Sequence, residues 1–305
     1  MKIHIRSTRL PSFMVNTTLR DVTLRDGAQS LPCVIPPSLK RELVSGIVEA
    51  GVRYVELGSF VGVQTPIYLK LADTPTLLKD VPQRDGVEYC ALAPSWRQYR
   101  SARGAGFKHV AAMVSANAEH QLANTDGFVS IDKAVGYIHR MRDHSSETDG
   151  RLTLYVVTSF GHDSLSDTPV DQLVSVVERL VEGGVGPYDC ITLGDTFSKA
   201  TVRSVYERVA AVRSVAPGVP LALHYHCKDQ MRWGDLVLAG IDAGVTQFDG
   251  TLGGIGGCPT KDSPQGNLSL AHLADFLKQH GHPTGLDVQN LYRLTETFRD
   301  GLIPR

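Results

Sequence analysis

Eight short apolar, β-branched segments recur along the chain with helix-patterned stretches between them, and this alternation constrains the fold more than any other feature. They lie around Thr18 to Thr23, Tyr54 to Leu57, Val87 to Leu92, His109 to Val114, Leu152 to Val157, Cys190 to Leu193, Leu221 to His224, and Thr246 to Phe248. Strands separated by helices read as parallel βα units, because a parallel partner can be reached only by a long crossover. Helical spacing is clear over Ser38 to Ala50, Val170 to Val181, Val202 to Val215 and Trp233 to Ala243. Glycine follows these stretches at Gly51, Gly183, Gly218 and Gly244, the usual stop for a helix. Eight such units predict an α/β fold, a (β/α)8 TIM barrel formed as a single domain over residues 18–280. Residues 1–17 are then an N-terminal extension and 281–305 a C-terminal one. A doubly wound sheet would place a glycine-rich phosphate turn after its first strand, whereas here that turn reads Arg25-Asp26-Gly27-Ala28-Gln29. The stretches Ala118 to Gly127 and Glu147 to Gly150 read as loops.

Charge and cysteine usage narrow the function classes. The 31 lysines and arginines nearly balance 32 aspartates and glutamates, so there is no electrostatic case for nucleic acid or an anionic membrane surface. Cys33, Cys90, Cys190, Cys227 and Cys258 are scattered, with no Cys-x-x-Cys pair, which argues against a disulfide framework and a structural zinc knot and for a reducing, cytoplasmic setting. No apolar run reaches the roughly 18 to 20 residues that span a bilayer, and the first twenty residues lack a secretory apolar core. Lys2, Arg6, Arg9 and Arg20 precede the first acid, Asp21, in a loose likeness to an organelle transit segment. Small-molecule chemistry is the expectation.

In a barrel, chemistry sits at the C-terminal ends of the strands. His224 and His226, two apart on one strand, aim at the same point. Asp26, expected at the end of the first strand, can complete a three-ligand site with open positions, which suits Mg²⁺, Mn²⁺, Zn²⁺ or Fe²⁺. With an amide such as Asn267 as a further oxygen ligand and no thiolate, Mg²⁺ or Mn²⁺ is favoured over Zn²⁺. A shared ion with bonds of roughly 2 Å requires both imidazoles within about 6 Å of the carboxylate. Arg25, expected beside Asp26 at that strand end, reads as a surface ion pair or as the cation that stabilises a developing enolate, held by Glu56 from the end of the second strand. Asp195 reads equally as a helix N-cap or as a base. Cys258 is a small buried hydrophobe or, beside the glycine run from Gly253 to Gly257, a movable proton donor. His162, His272, His280 and His282 show no partner in the sequence, and Trp96 and Trp233 read as packing. Two histidines and an aspartate could also hold the iron of an oxygenase.

Taken together, Thr23-Leu24-Arg25-Asp26-Gly27-Ala28-Gln29, Glu56-Leu57-Gly58-Ser59-Phe60-Val61, Leu193-Gly194-Asp195-Thr196, His224-Tyr225-His226 and Gly256-Gly257-Cys258-Pro259 with Gly266-Asn267 resemble the 3-hydroxy-3-methylglutaryl-CoA lyases of the DRE-TIM metallolyase family. The resemblance runs from about Asp21 to Leu277 in the same order. It implies a divalent metal held by Asp26, His224, His226 and Asn267, with Arg25 on the enolate, Glu56 positioning Arg25, and Cys258 transferring a proton. The implied reaction is cleavage of a 3-hydroxyacyl-CoA through an enolate, with a homodimer as the assembly. The related condensing synthases, which make homocitrate, isopropylmalate or citramalate, carry a similar first turn and are the alternative. The chain departs from the lyases at Val61-Gly62-Val63-Gln64-Thr65-Pro66, at Thr158 to Ser164, after the histidine pair at Cys227-Lys228-Asp229, and at Ala271-His272. The metal centre is thus expected to be shared and the pocket walls to differ.

Overall fold

The computed structural model describes residues 17–125, 129–162, 168–184, 186, 188–227, 229–257 and 266–302. Eight strands, β1 (Thr18–Asp21), β2 (Tyr54–Ser59), β3 (Glu88–Leu92), β4 (His109–Ser115), β5 (Arg151–Val157), β6 (Tyr188–Asp195), β7 (Leu221–Tyr225) and β8 (Gln247–Gly250), close a parallel barrel in sequence order. Closure is made by β1 against β8, with Asp21 beside Gly250. The helices are α1 (Pro37–Glu49), α2 (Tyr68–Leu71), α3 (Thr74–Asp80), α4 (Trp96–Gly104), α5 (Ala118–Ala123), α6 (Ile131–Glu147), α7 (Val170–Val181), α8 (Val202–Val215), α9 (Gln230–Asp242), α10 (Leu270–Gln279) and α11 (Val288–Gly301).

The strands obey a period of two. Leu19, Val55, Leu57, Val110, Ala112, Leu152, Leu154, Ile191, Leu193, Leu223 and Phe248 belong to the main apolar core, which side-chain alternation puts on the face turned to the helices. The helices answer with matching stripes: α7 buries Leu173, Val176, Val177 and Leu180, the spacing of one helix face. The alternate strand positions point into the barrel and are largely polar: Arg20, Glu56, Thr153, Thr192, His224 and Asp249 are all buried. A small apolar group of Tyr54, Cys90, Leu92, Ala111 and Tyr155, with Met113 and Val157 packed against it, shares that space. The inside is therefore a charged network instead of the layered aliphatic filling typical of such barrels.

Three expectations are corrected. Arg25 and Asp26 do not end a strand: β1 stops at Asp21, and Thr23–Gly27 form one π-helical turn in which the Asp26 and Gly27 amides both donate to the Val22 carbonyl, at 2.9 and 3.1 Å. The cause is local, since the Thr23 hydroxyl donates to Asp21 Oδ2 at 2.5 Å and pulls the chain out of the extended form. Glu56 lies in the middle of β2, not at its end. Within the stretch read as a loop from Ala118, residues Ala118–Ala123 are helical, because the Asn117 side chain caps the His120 amide; the other end of that stretch, Gly127, lies outside the described residues. Beyond α10, α11 packs on α1, where Leu294 crosses so close to Gly46 that a Cβ there would lie 2.3 Å from its Cδ2.

Candidate metal centre

The π turn after β1 and the end of β7 bring three side chains from distant parts of the chain to one point on the C-terminal rim. Asp26 Oδ2 lies 3.4 Å from His226 Nε2 and 3.9 Å from His224 Nε2, well inside the limit set for a shared ion. The two Nε2 atoms are 2.9 Å apart. All three groups are buried, and one atom from each falls within 4.8 Å of the others.

What surrounds the imidazoles decides what they offer at that point. His226 Nδ1 lies 3.1 Å from the Thr196 carbonyl, which can only accept, so Nδ1 carries the proton and donates. His224 Nδ1 donates likewise to Asp249 Oδ2 at 3.0 Å. Burial works against charge on Asp249, but Arg20 and His224 outweigh it and bring its pKa down to about 2, so it is an acceptor at neutral pH. With Nδ1 of each ring committed as a donor, two Nε2 atoms, each with a lone pair to offer, and a carboxylate oxygen converge; burial opposes charge on His226, yet Asp26 raises its pKa. Such lone pairs repel unless a cation or proton sits between them, and a carboxylate–histidine pairing of this kind orients imidazoles that bind metal. The donor set fits a divalent cation. Asp26 is itself held charged: burial opposes this, yet Arg25, His226 and His224 keep it well below the usual carboxylate range.

A buried chain of ion pairs supports the centre. Arg25 Nη1 donates to Asp26 Oδ1 at 2.7 Å and its Nε to Glu56 Oε2 at 2.5 Å, while among the described residues Nη2 is buried without a partner. Arg20 Nε donates to Asp249 Oδ1 at 2.6 Å. Between them Tyr155 Oη lies 2.7 Å from Glu56 Oε1 and 2.9 Å from Asp249 Oδ2. Asp249, Tyr155 and Arg20 went unrecognised as parts of the site in the sequence, and Thr196 enters through a backbone carbonyl that no side-chain motif reveals.

Asp195 is not the N-cap that one of its readings made it, since Thr201 caps α8. One oxygen, Oδ1, accepts the Lys199 and Ala200 amides at 2.7 and 3.1 Å, while Oδ2 is buried without a partner among the described residues. Burial raises its pKa to about 6, partly offset by those two amides. Asn267 reaches the centre, where its Nδ2 donates to Asp26 Oδ2 at 2.6 Å and to the Ile255 carbonyl at 2.9 Å. It can present Oδ1 to a cation only after a half-turn of the amide. Gln29 adds a further donor to Asp26 Oδ1 at 2.8 Å. Gly256, at φ +124°, must be glycine, because a Cβ would lie 2.0 Å from Asn267 Nδ2. Cys258 lies outside the described residues. His162, which showed no partner in the sequence, packs edge-on against Phe197 and His120 beyond β4, β5 and β6, with centroids at 4.7 and 5.6 Å.

Residues 16–298 match the family model described as HMGL-like. The chain is 27% identical over 275 residues to hydroxymethylglutaryl-CoA lyase YngG of Bacillus subtilis, covering 90% of this chain and 89% of that protein. It is 29% identical over 279 residues to the 3-hydroxy-3-isohexenylglutaryl-CoA/hydroxy-methylglutaryl-CoA lyase of Pseudomonas aeruginosa, covering 90% and 88%. Among solved structures, the HMG-CoA lyase of Acinetobacter baumannii in complex with coenzyme A and 3-methylmalate superposes with a TM-score of 0.85 at 26% identity, covering 96% of this chain and 93% of that one.

Proposed function

Since the chain belongs to the HMGL-like family, whose model its residues 16–298 match, we propose that this carbon–carbon lyase cleaves a 3-hydroxyacyl-CoA thioester. The reference substrate is 3-hydroxy-3-methylglutaryl-CoA, on which the named relatives act, and its products are acetyl-CoA and a 3-oxo acid. One observation carries the reading: both imidazoles have spent their Nδ1 protons, so their Nε2 lone pairs meet the Asp26 carboxylate at a single buried point.

Asp26, His224 and His226, with Asn267 once its amide oxygen turns inward, would hold a divalent cation, which would supply Lewis acidity at this point. Nitrogen and oxygen donors without a thiolate support Mg²⁺ or Mn²⁺ over Zn²⁺. Asp195 Oδ2 takes the hydroxyl proton, its pKa of about 6 suiting a base near neutrality. The O–H electron pair becomes the new carbonyl as the carbon–carbon bond breaks, and the bond's own pair passes into the thioester enolate. Arg25 offers its unpaired Nη2 to that enolate oxygen, while Glu56 and Asp26 hold its other nitrogens. Cys258 gives a proton to carbon and is reprotonated with the proton that Asp195 took, so one proton has moved from oxygen to carbon and both groups are restored. The reverse condensation is the second reading of the same centre; the named relatives are lyases and do not favour it.

Incubation with 3-hydroxy-3-methylglutaryl-CoA and Mg²⁺ or Mn²⁺ is expected to yield acetyl-CoA and acetoacetate by mass spectrometry. Exhaustive chelation, Asp26→Asn and His226→Ala should each abolish turnover; undiminished turnover after chelation would overturn the assignment. Unpaired Cys33, Cys90, Cys190 and Cys227 support a reducing cytoplasm. A homodimer is the expected assembly, since two-fold dimers are the commonest oligomers.

A further inference from the structure

We propose that Tyr155 is a positioning residue that couples the two arms of the site, by sharing one phenolic proton between the carboxylate that holds Arg25 and the carboxylate that holds His224. The proposal rests on the metal-centre reading above and adds to it a residue that touches neither substrate nor cation.

Tyr155 sits in the middle of β5, fully buried inside the barrel. Its hydroxyl lies within hydrogen-bond distance of Glu56 Oε1 and Asp249 Oδ2, at 2.7 and 2.9 Å. Both neighbours are carboxylates, and a phenol has a single proton to donate. Burial, reinforced by Asp249 and Glu56, pushes its pKa well above the usual phenol range, so that proton stays in place. The other oxygen of each carboxylate is committed, Glu56 Oε2 to Arg25 and Asp249 Oδ1 to Arg20, while Glu56 Oε1 also accepts from the Tyr54 hydroxyl at 3.0 Å, so that of the two phenols on Glu56 it is Tyr155 that reaches Asp249 as well. The ring also touches both working groups, since the Arg25 guanidinium carbon lies 4.8 Å from its centroid and the His224 ring meets it edge-on at 6.0 Å.

A proton that must be divided makes the two arms interdependent. Whatever draws electron density from His224 strengthens its bond to Asp249, which then has less need of the phenol, and the proton leans toward Glu56. Glu56 in turn holds Arg25 less tightly. Arg25, held less tightly at Nε, is thereby freed to turn its unpaired Nη2 toward a ligand when the histidine arm is engaged.

The test is a double-mutant cycle in Mg²⁺ affinity, measured by calorimetry on the metal-free protein and needing no substrate. Glu56→Gln is made in the wild-type and in the Tyr155→Phe background, each checked for an unchanged melting profile. Glu56 can also reach the cation site through Arg25 and Asp26, but that route is present in both backgrounds and cancels. If Tyr155 is the link, the effect of Glu56→Gln on the dissociation constant differs between backgrounds by about threefold or more, the range for residues sharing a hydrogen-bond network. Tyr155→Phe alone should lower kcat by about tenfold with KM nearly unchanged, the size usual for partners behind metal ligands. Equal Glu56→Gln effects in the two backgrounds, or a change confined to KM, would overturn the coupling. A wild-type protein that takes up neither Mg²⁺ nor Mn²⁺ would remove the metal-centre reading and the coupling with it, whereas additive effects in a protein that binds would remove the coupling alone.

Discussion

At the scale of single residues, the groups proposed to carry chemistry were easier to find than the groups that hold them. His224 and His226 declare themselves by spacing, and Asp26 and Arg25 by standing in a charged turn where a phosphate-binding sheet would have glycine. Asp249 does not: the apolar pattern of the eighth strand ends at Phe248, and an acid after it reads as a turn residue. Only closure against β1 shows it paired with Arg20 and His224. Asp21 is fully buried, and burial raises its pKa to about 7 despite the Thr23 hydroxyl and amide. A carboxyl with a folded pKa above its unfolded value stabilises fully below the unfolded pKa and loses that stability as pH rises through the folded one. Asp21 therefore weakens the fold progressively between about pH 4 and pH 7. Asp21→Asn, which cannot ionise, should gain stability relative to wild type over that window and hold the gain above it, to an upper limit of about 4 kcal/mol. Urea melts of both proteins at pH 5 and pH 8 would show it, and an equal difference at the two values would refute it.

At the scale of elements, the four stretches read as helical all form helices, with ends shifted by three residues or fewer, whereas the short helix Ala118–Ala123 and the end of the first strand were misjudged. Val170–Val181 and Val202–Val215 are the helices expected, because amphipathic spacing and a following glycine mark both the face and the stop. The first strand was read two residues too long, since Val22 and Thr23 favour strand by composition while the Thr23 hydroxyl turns the chain. The same hydroxyl oxygen accepts the Leu252 amide at 2.9 Å, which ties the π turn to the loop after β8 and brings Gly256 against Asp26 and Asn267. Gly256→Ala puts a methyl 2.0 Å from Asn267 Nδ2 and 2.9 Å from Asp26 Oδ2 on a backbone at φ +124°. It should lower Mg²⁺ affinity by about tenfold or more while the barrel still folds. Unchanged affinity by calorimetry would show that this loop yields without cost.

At the scale of the whole molecule, a cation that binds only where the two ends of the chain meet must stabilise the entire barrel. At a hundredfold excess over its dissociation constant it should add about 2.7 kcal/mol, a rise in Tm of about 5 °C that Asp26→Asn and His224→Ala abolish; differential scanning calorimetry checks it. By itself the sequence determined the unit that repeats, the closed barrel that eight such units form, and the imidazoles and carboxylate of the rim, because side-chain periodicity and motif spacing are local properties. Only the tertiary structure decided what faces what. The register of β1 on β8 sets Arg20 beside Asp249, and the inward turn of alternate residues fills the barrel with charge. That same geometry leaves Tyr155 one proton to divide between two acids that lie 99 and 94 residues away in the chain. Such pairings depend on the distance across a closed barrel, a quantity that no stretch of sequence contains.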